Sequence, residues 1–183
     1  MTVLHQIYQK TFWGDLFRPM GVLNPIRLWR KPKKDEGNME EILHEMLKNY
    51  GLKEVPGSQH NPEILAMFAE IGFDYIKDDE TAWCSASLNY FCKKLGYERS
   101  GALDARSWLK MPVKVLKPSL GDIVILWRES TDSWKGHVGL YISEDAERKR
   151  IYILGGNQSN MISISGYPRE QLLGYRQVKK IQT

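Results

Sequence analysis

Cys84 and His137, far apart in the sequence, have the types and local settings of a nucleophile and its base. Cys84 lies where the polar stretch Asp78, Asp79, Glu80 and Thr81 runs into Trp83-Cys84-Ser85-Ala86-Ser87-Leu88, an amphipathic run that places the thiol in the first turn of a helix. A helix N-terminus presents unpaired N–H groups and a partial positive charge, which favour a thiolate and a developing oxyanion. His137 opens the run Gly136-His137-Val138-Gly139-Leu140-Tyr141-Ile142, read as a strand. Glycines on both sides of the histidine allow close approach to another backbone. Such a pair does acyl chemistry: the imidazole takes the thiol proton, the sulfur attacks a carbonyl, and the proton passes to the leaving amine.

The other histidines fit the base role less well. His5 lies in an N-terminal appendage, His44 beside the apolar stripe of a helix, and His60 just before a helix start. A catalytic imidazole needs an acceptor on its second nitrogen. The strand after His137 ends in Gly155-Gly156-Asn157-Gln158, and Asn157 is the expected third catalytic residue. Strict alternation sends Gln158 to the opposite face, where it is expected to meet substrate; a bulge at the glycines would reverse the two. Trp83, Ser85 and Asp79 complete the expected substrate contacts: a groove wall or a core aromatic, a backbone N–H for the oxyanion, and an acid that either caps the helix or meets a substrate amine.

These residues sit within ordered blocks: Glu54-Val55-Pro56-Gly57, Asn61-Pro62, Trp83-Cys84-Ser85-Ala86, Ala105-Arg106-Ser107-Trp108, Gly121-Asp122-Ile123-Val124, Gly136-His137-Val138-Gly139, Gly155 through Asn160 and Leu172-Leu173-Gly174-Tyr175-Arg176. In that order they resemble the NlpC/P60 and CHAP group of papain-like cysteine hydrolases, in particular a short bacterial and phage branch, from about Met39 to Arg176. The resemblance implies a cysteine-bearing helix packed on a small antiparallel sheet. It also implies a cysteine peptidase or amidase that cleaves amide bonds in the stem peptides of bacterial peptidoglycan, as a phage lysin or antibacterial effector. A transferase or protein-directed toxin would use the same thioester, and a wall-binding module would need no reactive thiol.

The elements that must position the pair are legible in the periodicity. Ile42, Leu43, Met46 and Leu47 form one apolar helix face. Asn61 and Pro62 open a second helix as cap and first residue, with Ile64, Leu65, Phe68 and Ile71 facing inward and Gly72 as its stop. A third helix runs from near Trp83 to Leu95 and Gly96, followed by a short helical turn at Ala105 to Leu109. After Pro118 the period becomes two, giving five expected strands: Asp122 to Trp127, His137 to Ser143, Ile151 to Leu154, Met161 to Ser165 and Gly174 to Val178. Helices first and closely connected strands afterwards make an α+β fold with an antiparallel sheet.

With 183 residues and 42% hydrophobic content, the chain has material for one core. Residues 39–183 are expected to form the domain. Residues 1–38, broken by Pro19, Pro25 and Pro32, are expected to be an extension serving a leader, docking or export role. The charge of +4 is concentrated in that extension and at the far end, without the interleaved aromatic and basic pattern of a nucleic-acid surface, so no nucleic-acid partner is expected. Cys84 and Cys92 lie about two helical turns apart, roughly 12 Å along the axis, which is too far for a disulfide. Two thiols without a nearby histidine pair make no zinc site, and neither metal nor cofactor is expected. No apolar run is long enough to span a membrane, and the first residues lack a secretory signal pattern. The expected course is synthesis in the cytoplasm and action in the periplasm or on the wall after export, injection or lysis, with a secretion or tail component and an immunity protein as candidate partners.

Overall fold

The computed structural model describes residues 38–182, so the expectations placed on residues 1–37 lie outside it. The described part is α+β. Helix α1 spans Met39–Leu47, α2 Pro62–Glu70 and α3 Cys84–Lys94, followed by a 3-10 helix at Ala105–Lys110. Strands follow at β1 Val113–Val115, β2 Ile123–Trp127, β3 Gly136–Asp145, β4 Arg150–Gln158, β5 Met161–Pro168 and β6 Leu172–Gln177. They form one antiparallel sheet in the order β1-β6-β2-β3-β4-β5. The sheet therefore has six strands where the sequence suggested five. The additional strand, β1, is a three-residue edge strand whose period is too short to read.

Local chemistry sets the helix starts. The Asn38 side chain accepts from the N–H of Glu40 to open α1, and Asn61 does the same from Glu63 to open α2, with Pro62 at the first helical position. Both caps satisfy donors that the first turn leaves orphaned. α3 starts without a side-chain cap: its cap residue is Trp83. Asp79, which the sequence offered as a cap for this helix, is buried and accepts instead from the N–H of Val55 at 2.9 Å and of Asn61 at 2.6 Å, and pairs with His60 Nδ1 at 3.1 Å. It ties two loops together. The start of α3 thus has no side-chain cap from the residues before it.

α3 is the central element, with β3 and β4 on one side and α1 and α2 on the other. Cys84 through Asn89, Phe91 and Cys92 are all buried, so the helix is enclosed nearly all round. Its polar residues survive burial because each is bonded. Ser85 Oγ donates to the Ala102 carbonyl at 2.7 Å and accepts from Trp108 Nε1 at 2.9 Å, while Asn89 bonds the Ser85 carbonyl and the Gly101 N–H. The contact of α3 with β4 requires glycine at position 156. A Cβ there would lie 2.4 Å from Ser87 Oγ and 2.6 Å from Trp83 Cζ3. The far face of the sheet carries a smaller apolar cluster of Val124, Leu126, Ile151, Ile153 and Tyr175.

Candidate active site

β3 carries His137, and its two glycines are needed where they stand. A Cβ on Gly136 would lie 2.9 Å from the Leu126 carbonyl oxygen, and one on Gly139 2.7 Å from that of Leu154. His137 is wholly buried. The next residue, Val138, has its backbone N–H near enough to the Cys84 thiol to favour its ionised form, as do the N–H groups of Cys84 and Ser85. The sheet and the start of α3 therefore meet at the two residues that the sequence singled out.

Gln158, not Asn157, faces the histidine. Gln158 Oε1 lies 3.2 Å from His137 Nε2, and Gln158 is itself buried. The reversal has a clear cause: the β4–β5 register shifts between Gly155 and Gln158, and Asn157 takes the left-handed conformation at φ 56°. This irregularity interrupts the alternation on which the choice of Asn157 rested. Asn157 turns away to donate from Nδ2 to Glu54 Oε1 at 2.6 Å.

The amide of Gln158 also fixes the histidine tautomer. Its Nε2 donates to the carbonyls of Ile153, Gly155 and Ser163, which leaves Oε1 as the atom facing the ring. An oxygen can only accept, so His137 carries its proton on Nε2 and presents the Nδ1 lone pair. Burial and the Arg128 charge, opposed by the Gln158 bond, push His137 down to about 3, so the ring is neutral across the physiological range. Burial also pushes the Cys84 thiol up, against the N–H of Val138 and the Arg128 charge. At this helix start desolvation outweighs the terminal N–H groups. The resting pair is a thiol and a neutral imidazole rather than the thiolate expected from the sequence.

The remaining expected substrate contacts have structural roles in this arrangement. Trp83 is fully buried and donates from Nε1 to Glu54 Oε1 at 2.7 Å. The Ser85 hydroxyl is committed to Ala102 and Trp108, leaving its backbone N–H as the part near the sulfur. Asp79 holds the loop around His60. Trp108 is interior, whereas Trp134 is largely exposed.

Three residues that sequence reasoning passed over belong to the site. Glu54 receives both Trp83 and Asn157 on one carboxylate oxygen, joining the cap of α3 to the irregular end of β4. Arg128, just past β2, places Nη2 3.3 Å from His137 Nδ1. The Tyr167 ring lies against the imidazole, with centroids 5.1 Å apart. Arg106, in turn, anchors the hairpin loop that joins Arg128 to His137, donating to the carbonyls of Ser130, Thr131 and Lys135. None of the three has a spacing signature, because each reaches the site only through the tertiary fold.

Comparison with known proteins adds little to this geometry. No known family profile matches the chain, and no curated protein matches it. Among solved structures, one from Staphylococcus aureus, described as similar to lipoprotein and of the NLP/P60 family, is 17% identical with a TM-score of 0.44. The match covers 79% of this chain and 41% of that one, so the chain spans less than half the length of the solved protein.

Two other features lie outside the pair. A polar pocket lined by Glu54, Pro56, Glu80 and Asn160 includes neither Cys84 nor His137. Among the described residues, His60, Asp78 and Asp79 bring ligand-type atoms within 4.8 Å of one another. The Asp79 oxygens already accept from two backbone N–H groups and the His60 ring, and those contacts account for the cluster as a loop clasp.

Proposed function

We propose that the chain is a cysteine amide hydrolase acting on the stem peptides of bacterial peptidoglycan, with Cys84 as nucleophile, His137 as base and Gln158 as the residue that orients the base. The observation that carries this reading is the bond from His137 Nε2 to Gln158 Oε1, because it leaves Nδ1 as the unprotonated nitrogen of a neutral ring, with only the Arg128 guanidinium on it.

With thiol and imidazole both neutral at rest, proton removal accompanies attack. Nδ1 takes the Cys84 proton as the sulfur forms a bond to the substrate carbonyl carbon, and the imidazolium is held by Gln158. The N–H groups near the sulfur stand where an oxyanion would develop. Collapse expels the amine, which takes the proton from Nδ1, and leaves a thioester. Water then attacks that thioester, giving its proton to Nδ1, and the acid product departs as the proton returns to sulfur.

The substrate class rests on the ordered sequence blocks that resemble cell-wall hydrolases. The direct test is incubation of the purified protein with whole peptidoglycan, with the new termini identified by mass spectrometry. Cleavage at a stem-peptide or sugar-to-peptide amide by the wild type, and none by Cys84→Ala, is expected. Equal product release by both proteins would overturn the reading.

A further inference from the structure

The pair is covered. Cys84 is 7% exposed and His137 not at all, yet the residue touching His137 Nδ1, Arg128, is exposed. Arg128 thus reaches from an exposed position to the buried base, and its charge acts on both the Cys84 thiol and the Tyr167 hydroxyl, which it also bonds. It makes no ion pair among the described residues. The adjacent carboxylate, Glu129, is taken by Lys135 Nζ at 2.5 Å. A guanidinium offers five N–H donors in a planar fork, and the contacts to the imidazole nitrogen and to the Tyr167 hydroxyl leave part of the fork unused.

Two consequences follow. The nitrogen that must receive the thiol proton is already accepting a hydrogen bond, so Arg128 must let go before the reaction begins. What draws it away is an anion, since a bidentate pair with a carboxylate is shorter and stronger than one bond to a neutral ring. The side of the scissile bond is fixed as well. Nδ1 has to reach the leaving nitrogen, and Arg128 approaches the ring from the Nδ1 side, so a carboxylate that draws it away comes from the residue whose amine departs.

We propose that Arg128 is the specificity residue of this site: it binds a free carboxylate on the amine side of the scissile bond and, in turning to it, frees His137 Nδ1 to act as base. The proposal rests on the hydrolase reading above and selects, among stem peptides, those whose leaving residue keeps its carboxylate.

Two measurements on the full chain test it. The first compares two stem-peptide fragments that differ only in whether the leaving residue ends in a carboxylate or a carboxamide. The wild type should favour the carboxylate by about tenfold or more in kcat/KM, and Arg128→Gln should bring the ratio close to one, with Arg128→Lys between them. The second compares alkylation of Cys84 by iodoacetate and by iodoacetamide, relative to free cysteine in the same buffer. Iodoacetate should gain several-fold in the wild type, roughly as a charge-assisted contact allows, and lose the gain in Arg128→Gln. If both fragments are cleaved with the same ratio by wild type and Arg128→Gln, the proposal falls and the hydrolase stands. If neither fragment nor whole peptidoglycan is cleaved while the iodoacetate preference holds, the hydrolase reading falls and the anion site stands. If alkylation shows no preference, Arg128 is no anion receptor and the proposal falls.

Discussion

Gln158 Oε1 and His137 Nε2 lie 3.2 Å apart, and the three carbonyls that hold the Gln158 amide leave its oxygen as the only atom that can face the ring. Orientation and tautomer of the base are set by one neutral side chain. A neutral acceptor also avoids a second buried charge beside a ring that must become cationic only in passing.

Gln158→Ala should therefore lower kcat by about a hundredfold, in the range seen when an orienting partner is lost, with KM little changed. Asn157→Gly is the informative control. It keeps the left-handed backbone at position 157 and removes only the bond to Glu54, so kcat should stay within a few-fold of wild type while stability falls by about 1 kcal/mol. Kinetics on one muropeptide, with thermal unfolding of each variant, separate the two. A larger kcat loss in Asn157→Gly would return the orienting role to that residue.

Stability should fall in mild acid because of His137. Burial, reinforced by Arg128 and opposed by Gln158, takes the folded ring from 6.5 to about 3. Between those values the unfolded chain binds a proton that the folded chain refuses, so stability drops as the pH falls through this window, by up to about 1.4 kcal/mol per pH unit. The groups that touch the ring are Arg128, Gln158 and Tyr167, none of them a carboxylate that could rescue the imidazolium. Urea unfolding at about pH 7 and about pH 5 should show the loss in wild type and a smaller one in His137→Gln. The lowered carboxylates Glu41, Glu45 and Asp79 add their own loss only at still lower pH.

The parts of this arrangement that were legible in the sequence are those coded locally. Asn61-Pro62 reads as a helix start because cap and first residue are adjacent, and Gly136 and Gly139 read as close-approach positions because nothing else explains glycine beside an apolar strand. Cys84 and His137 could be nominated from their settings together with the ordered blocks around them. The orienting residue could not, since a single bulge at Gly155 to Gln158 exchanges the faces of Asn157 and Gln158. Glu54 and Arg128 reach the site from sequence-distant or loop positions. The state of the thiol is only half legible: the helix terminus is coded locally, whereas the desolvation of an enclosed helix arises only in the tertiary fold.

That desolvation makes a prediction of its own. Cys84 at rest should behave as a thiol with its titration shifted upward, so iodoacetamide labelling should be slow near neutral pH and climb with increasing pH, without the acidic plateau of a preformed thiolate. Cys92, fully buried and also pushed up, should stay unlabelled until the chain unfolds. Peptide mapping after timed labelling distinguishes the two sites. Fast labelling of Cys84 in mild acid would show that the helix terminus prevails over burial after all.

The contact between α3 and β4 offers the sharpest mechanical test, because it sets how closely the nucleophile's helix approaches the strand that ends in Gln158. In Gly156→Ala the new methyl would meet Ser87 Oγ at 2.4 Å and the six-membered ring of Trp83 at 2.6 Å, both far inside van der Waals contact. Ser87 is itself bonded to the Cys84 carbonyl, and Trp83 is pinned by Glu54, so neither can give way alone. The helix must lift from the sheet. Overpacking of this kind costs about 1 to 3 kcal/mol, and it should change the near-ultraviolet circular dichroism of the buried tryptophan. Because the lift begins one residue before Cys84, activity should fall further than the fraction unfolded explains. Glu54→Gln keeps the shape while weakening the hold on Trp83, and should show the same spectral change in milder form. If Gly156→Ala matches wild type in stability, spectrum and rate, the close seating of α3 on β4 is not what positions the thiol.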